Sequence, residues 1–217
     1  QFTKSQDSLE RLLRDKHDAI ILAGDLSYAD GRPKGWDTFG DFLDDYEFGT
    51  NTPVHICPGN HDIEHTSDGR IFLDVQTRWR MPQSAPAILQ RYHGPADLHH
   101  FHYPLVYDYG NSYHAWQYGG VFNIMLNAYA NVDVGSRQYL WLQKTIGNVD
   151  RKLTPWLIVT LHVPIYNSFQ NHQYDPQVLA VRESLEPLFV QHRVNLVVSG
   201  HVHAYQRTHG VAYFQRN

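Results

Sequence analysis

A single cysteine, Cys57, stands among 217 residues. No disulfide can therefore close within the chain, and packing has to supply its stability. Cys57 lies in an apolar run, which fits a buried, inert thiol better than a bridge between two chains. Long apolar runs are missing as well. No stretch approaches the ~20 residues of a membrane-spanning helix, and the first residues lack the charged-then-apolar layout of a signal peptide. Neither sign of charge clusters: 18 Lys+Arg against 22 Asp+Glu give a net charge of -4. A nucleic-acid partner, which needs grouped Lys and Arg against its phosphates, is thereby disfavoured. Repeats, low-complexity tracts and linkers are also lacking, so residues 1–217 read as one soluble domain.

What the chain has in excess is histidine, with 15 residues, the commonest metal ligand among side chains. The 42% hydrophobic and 13% aromatic content is enough to bury a substantial core. Short apolar runs at 19–23, 53–57, 121–126, 156–161 and 194–198 predict strands. Amphipathic stretches between them predict helices. Leu9, Leu12 and Leu13 share one face within 8–16. Trp36, Phe39, Leu43 and Tyr46 form a second stripe, Tyr139, Leu142 and Ile146 a third, and Val178, Leu185, Leu188 and Phe189 a fourth. Residues 78–118, rich in Pro, His and Tyr without periodicity, predict a long loop excursion. Strands alternating with helices give an α/β fold.

Four of the five strand candidates run out into polar residues beside Gly or Pro. The first leads into Gly24, Asp25 and Tyr28, and the second into Pro58, Gly59, Asn60, His61 and Asp62. The fourth leads into His162 and Pro164, and the fifth into Gly200, His201 and His203. Carboxyl ends of strands in α/β sheets converge on one crevice, so these side chains are expected to meet. Asp25 and Tyr28 offer hard anionic oxygen suited to a trivalent ion, whereas Asn60, His162 and His201 offer neutral oxygen and imidazole nitrogen suited to a divalent one. His201 and His203, at i and i+2, would face the same side of an extended backbone.

The blocks Gly24-Asp25-Leu26-Ser27-Tyr28-Ala29-Asp30, Gly59-Asn60-His61-Asp62, Val159-Thr160-Leu161-His162 and Gly200-His201-Val202-His203 together resemble the purple acid phosphatases of the calcineurin-like metallophosphoesterase superfamily. The resemblance spans nearly the whole chain. It implies a β-sandwich of two mixed sheets flanked by helices (α/β/β/α), truncated at both ends. It also implies a binuclear centre of Fe(III) with Zn, Mn or Fe(II). Asp25 then matches the bridging carboxylate, Tyr28 and His203 the ferric ligands, and Asn60, His162 and His201 the ligands of the divalent ion. His61 and His172 match histidines that contact phosphate and assist the leaving group. The implied activity is hydrolysis of small phosphate monoesters by a metal-bound hydroxide, in a secreted or vacuolar/lysosomal protein that admits a homodimer. A phosphodiesterase or nucleotide phosphatase with the same centre, or a silent binding relative, are the rival readings, and Tyr28 favours the monoesterase.

Three departures from the family pattern stand out. Asn171 and His172 occupy the place of a His pair, no Met-Glu-Gly-Glu follows Tyr174, and the family's first Asp-x-Gly would lie upstream of Gln1. Asp7 reads as a helix cap, not a substitute ligand. His99, His100 and His102 read as an exposed loop, and Asp41, Asp44, Asp45 and Glu47 as a solvated helix face. Arg207 is either a phosphate contact or half of a surface salt bridge.

Overall fold

A computed structural model describes residues 7–8, 10–12, 15–30, 32–45, 52–65, 71–72 and 112–216. Residues 78–111 of the predicted loop, with His99, His100 and His102, and Tyr46, Glu47 and residues 9, 13 and 14 of the first predicted helix lie outside these residues. Each predicted strand is present, trimmed at its ends: β1 (Ile20–Leu22), β2 (Val54–Ile56), β6 (Val121–Met125), β7 (Trp156–Thr160) and β8 (Leu196–Val198). Two short pairs, β3 (Glu64–His65) with β4 (Ile71–Phe72) and β9 (Val211–Ala212) with β10 (Gln215–Arg216), and β5 (His114–Tyr118) are the other strands among the described residues.

β5 (His114–Tyr118) is a strand that periodicity did not reveal, at the end of the supposed excursion. His114-Ala115-Trp116-Gln117-Tyr118 reads neither as an apolar run nor as a clean alternation. It becomes a strand because β6 lies antiparallel beside it, pairing His114 with Met125 through to Tyr118 with Val121.

The larger sheet runs in the order β5-β6-β7-β8, antiparallel between β5 and β6 and parallel thereafter. The smaller, among the described residues, is the parallel pair β1-β2. Of the two mixed sheets expected, the larger is therefore mixed and the smaller parallel. Parallel neighbours require helical crossovers. α1 (Pro33–Asp45) joins β1 to β2, and α2 (Arg137–Gly147) joins β6 to β7. α3 (Pro176–Ser184) and α4 (Glu186–Gln191) join β7 to β8.

The stripe at Val178, Leu185, Leu188 and Phe189 thus belongs to two helices. The break falls at Leu185, because Pro187 has no N–H with which to continue the helical ladder. Leu142, Leu157, Val159, Leu161, Val178, Val181 and Leu185 are fully enclosed, at 0% exposure, and centre the core on β7. Each such side chain contributes about 1.5–3 kcal/mol through burial. Cys57 is buried as expected.

Candidate metal centre

β1, β2, β7 and β8 all deliver their carboxyl ends to one place. Asp25 follows β1, Asn60 follows β2, His162 follows β7 and His201 follows β8. Asn60 Oδ1 lies 3.2 Å from His162 Nε2 and 3.0 Å from His201 Nδ1, and His162 Nε2 is 3.2 Å from Asp25 Oδ2.

The chain geometry at these strand ends is demanding. Gly24 has φ 83, a left-handed conformation open to glycine at no steric cost. A Cβ on Gly59 would collide with the backbone nitrogen and carboxylate of Asp25. Among the described non-glycine residues, eight have positive φ, and five of them are Asp25, Tyr28, Asp30, His172 and His201. Such strain persists only where surrounding structure enforces it, and it concentrates at functional sites.

Ring nitrogens already committed elsewhere settle which atoms face inward. His162 Nδ1 donates to Ala23 O at 2.6 Å. With Nδ1 as its N–H, the ring would in its neutral form turn the lone pair of Nε2 toward the Asp25 and Asn60 oxygens, neither of which can donate to it. His201 Nε2 lies 3.1 Å from Asp175 Oδ2, which leaves Nδ1 as its inward lone pair. Burial lowers the His201 pKa and so favours the neutral ring, although Asp175 opposes this. With both rings neutral, four acceptors converge with only the Tyr129 hydroxyl, 3.4 Å from Asn60 Oδ1, to donate among them, and a cation would satisfy them. The Asp25-His162-His201 cluster offers one ligand atom per residue within mutual reach of a single ion. Burial pushes the Asp25 carboxyl up, but positive charge at the His162 contact, from a proton on Nε2 or a cation in its place, and the His61 backbone N–H outweigh it and hold the carboxyl below its ordinary value.

A second group flanks this one. Tyr28 Oη is 3.0 Å from His203 Nε2. Burial, then the carboxylates of Asp25, Asp62 and Asp30, push the Tyr28 phenol up to about 12. A phenolate there requires a cation close by. The backbone that carries His201 and His203 is not the extended one expected. His201 has φ 66 and the chain bends through residues 201–204, so His201 turns to Asn60 and His203 to Tyr28.

His61 and His172 stand at the edges. The backbone N–H of His61 donates to Asp25 Oδ1 at 3.0 Å, its Nδ1 is 2.6 Å from Asp30 Oδ1, and its ring packs 4.5 Å from that of Tyr28. His172 Nδ1 is 2.8 Å from Asp175 Oδ2, and its ring centroid lies 4.1 Å from that of His201. All eight residues singled out from sequence therefore gather here. Arg207 instead is exposed and lines a cavity of about 570 Å³ beside Glu186, Arg193 and Gln206.

Sequence reasoning assigned no role to several residues that hold the site. Asp62, at 0% exposure, accepts from the backbone N–H groups of Leu26 and Gly59, both at 2.9 Å, and so ties the turn after β1 to the turn after β2. Burial nonetheless pushes its carboxyl up to about 6. Tyr129, buried after β6, donates its hydroxyl to Asn60 Oδ1 at 3.4 Å. Asp30 and Asp62 stood inside quoted motifs, but nothing in the order of residues showed what they touch. Asp175 carried no signal beyond its closeness to His172 in sequence.

The strand ends of this α/β fold bring carboxylate, amide and imidazole side chains to one crevice, a donor set suited to metal ions. The chain belongs to the calcineurin-like phosphoesterase family, which it matches over residues 1–205. It is similar to the probable purple acid phosphatase 20 of Arabidopsis thaliana, at 34% identity over 94% of this chain and 43% of that protein. It is similar also to the Fe(3+)-Zn(2+) purple acid phosphatase 12 of that organism, at 32% identity over 91% of this chain and 38% of the relative. The chain thus spans about two-fifths of the length of these relatives. In structure it resembles a purple acid phosphatase from yellow lupin (Lupinus luteus) seeds, with TM-score 0.69 and 23% identity over 94% of this chain and 33% of the lupin chain, a likeness of fold.

Proposed function

We propose that the protein carrying this chain hydrolyses small phosphate monoesters at a centre of Fe(III) and a divalent ion, Zn, Mn or Fe(II). The observation that carries this reading is the convergence of Asp25 Oδ2, Asn60 Oδ1, His162 Nε2 and His201 Nδ1 as four acceptors around one point. Asn60, His162 and His201 would hold the divalent ion, Tyr28 and His203 the ferric ion, and Asp25 both. The purple acid phosphatases among its relatives, one of them named for iron and zinc, support the same assignment. When bound, such ions activate water for in-line attack at phosphorus and neutralise charge on the equatorial oxygens.

The protein's own groups then divide the remaining work. Asp30 fixes Nδ1 of His61 as the N–H nitrogen, so Nε2 is the atom that can hold a proton for the departing oxygen. His172, oriented through its own Nδ1, presents Nε2 toward bound phosphate. Asp62 and Tyr129 hold the two turns and the Asn60 amide in place. A secreted or vacuolar/lysosomal location and a single catalytic domain over 1–217 belong to this reading. No helix among the described residues is long and apolar enough to cross a membrane.

The test is metal analysis of the full-length protein together with rates on 4-nitrophenyl phosphate and its bis-ester at mildly acidic pH. The reading expects iron, a divalent ion and preference for the monoester. Metal-free protein inactive on both substrates would sink it.

A further inference from the structure

Asp175 occupies the N-cap of α3, immediately before Pro176, with φ -57 and ψ 138, yet its side chain makes no capping hydrogen bond. An aspartate at that position ordinarily accepts from the N–H groups of the first helical turn. Its carboxylate is engaged elsewhere. The single oxygen Oδ2 lies 2.8 Å from His172 Nδ1 and 3.1 Å from His201 Nε2. Both histidines hold left-handed backbones, with φ 67 and 66, and their rings are inclined by 56°. The loop after β7, the start of α3 and the turn after β8 thus meet at one carboxylate oxygen.

An imidazole that donates one N–H to a carboxylate has its tautomer and ring orientation fixed, and its other nitrogen is aimed. For His201 the aimed atom is Nδ1, 3.0 Å from Asn60 Oδ1. For His172 it is Nε2. We propose that Asp175 is a positioning residue whose one oxygen aims His201 at the divalent ion and His172 at the substrate phosphate, so that metal site and phosphate contact are held in register. This rests on the assignment of Asn60, His162 and His201 to the divalent ion.

The experiment compares full-length wild-type protein with Asp175→Ala and Asp175→Asn. It measures iron and divalent-ion content after dialysis against graded chelator, inhibition by inorganic phosphate, kcat and KM separately, and the thermal midpoint. Asp175→Ala is expected to keep its iron while its divalent-ion affinity falls by about 10–100-fold. Phosphate inhibition weakens and KM rises in the same variant. Asp175→Asn keeps the size of the side chain and one acceptor oxygen, so it falls between wild type and alanine. It also decides the question if the alanine variant does not fold.

Wild-type ion affinity and phosphate inhibition in whichever variant folds, with only the thermal midpoint moved, would leave Asp175 a structural residue and overturn the proposal. Loss of a whole ion at saturating metal would make Asp175 a ligand and overturn it too. A wild-type protein that holds no metal overturns the functional reading itself, and the proposal with it.

Discussion

His61 Nδ1 lies 2.6 Å from Asp30 Oδ1, while the backbone N–H of the same histidine reaches Asp25 Oδ1 at 3.0 Å. One residue therefore links the Asp25 carboxylate to an outer carboxylate that steers its ring. Asp30→Asn removes the charge behind Nδ1 and unfixes the tautomer. We expect kcat to fall by about 10–100-fold with metal content unchanged. The loss should be larger for alkyl than for 4-nitrophenyl phosphate, because a poorer leaving group depends more on the donated proton. Equal losses on both would count against the His61 role.

Tyr28 sits among three carboxylates that oppose its ionisation. If it ligates iron, the bound phenolate gives the holoprotein a visible charge-transfer band, and iron loading near neutral pH releases protons. Tyr28→Phe should lack the band and retain less iron while keeping its divalent ion. An unchanged spectrum would remove Tyr28 from the ligand set.

Gly59 is the closest approach between the two turns. In Gly59→Ala the methyl group would overlap the Asp25 backbone nitrogen and its short carboxylate side chain, which has little room to give. Overpacking of this kind costs about 1–3 kcal/mol. Denaturant midpoints of the metal-free protein should record that loss, and both ions should bind more weakly.

The Gln138 amide, at 0% exposure, accepts from the Asn127 backbone N–H at 2.8 Å and donates to the Asn127 carbonyl at 2.9 Å. Gln138→Leu removes both of these hydrogen bonds, each worth about 0.5–1.5 kcal/mol, while the Asn127 carbonyl keeps the Ala130 N–H at 3.4 Å. Chemical denaturation should show a loss of that size, although position 138 is not a core position in the apolar pattern of α2.

His55 and His114 face each other at 3.2 Å, with Trp116 stacked 3.9 Å from His55. Burial lowers His55 to about 4 and, with the His55 charge added, His114 to about 3. Both rings fold neutral, whereas in the unfolded chain they take up protons near pH ~6.5. The unfolded state binds more protons below that pH, so stability is full above it and is lost as pH falls toward 4. The slope is at most about 1.4 kcal/mol per pH unit for each ring. His114→Asn should flatten the acid limb of the metal-free protein's stability profile, and an unchanged limb would assign it to other groups.

The strands were legible because Ile20, Val54, Val159 and Val197 sit in short apolar runs that lead into polar residues near Gly or Pro. The ligand types could be read for the same reason, since a residue just past a strand is placed by that strand. β5 was not legible, as its strand character comes from pairing with β6. The divided helix at Leu185 could have been read from Pro187, had the apolar stripe not masked the break.

By itself, the sequence determined the α/β class, the family resemblance and the eight residues that gather at the strand ends. Those follow from local pattern and motif order. Tertiary structure alone decided the pairings: His61 with Asp30, Asp62 with Leu26 and Gly59, Tyr129 with Asn60, and Asp175 with both His172 and His201. It also bent the backbone at His201 and gave His201 to Asn60 and His203 to Tyr28. A hydrogen bond depends on distance and direction across separate loops, and those are set when the strands stack and the turns close, not by the order of the residues.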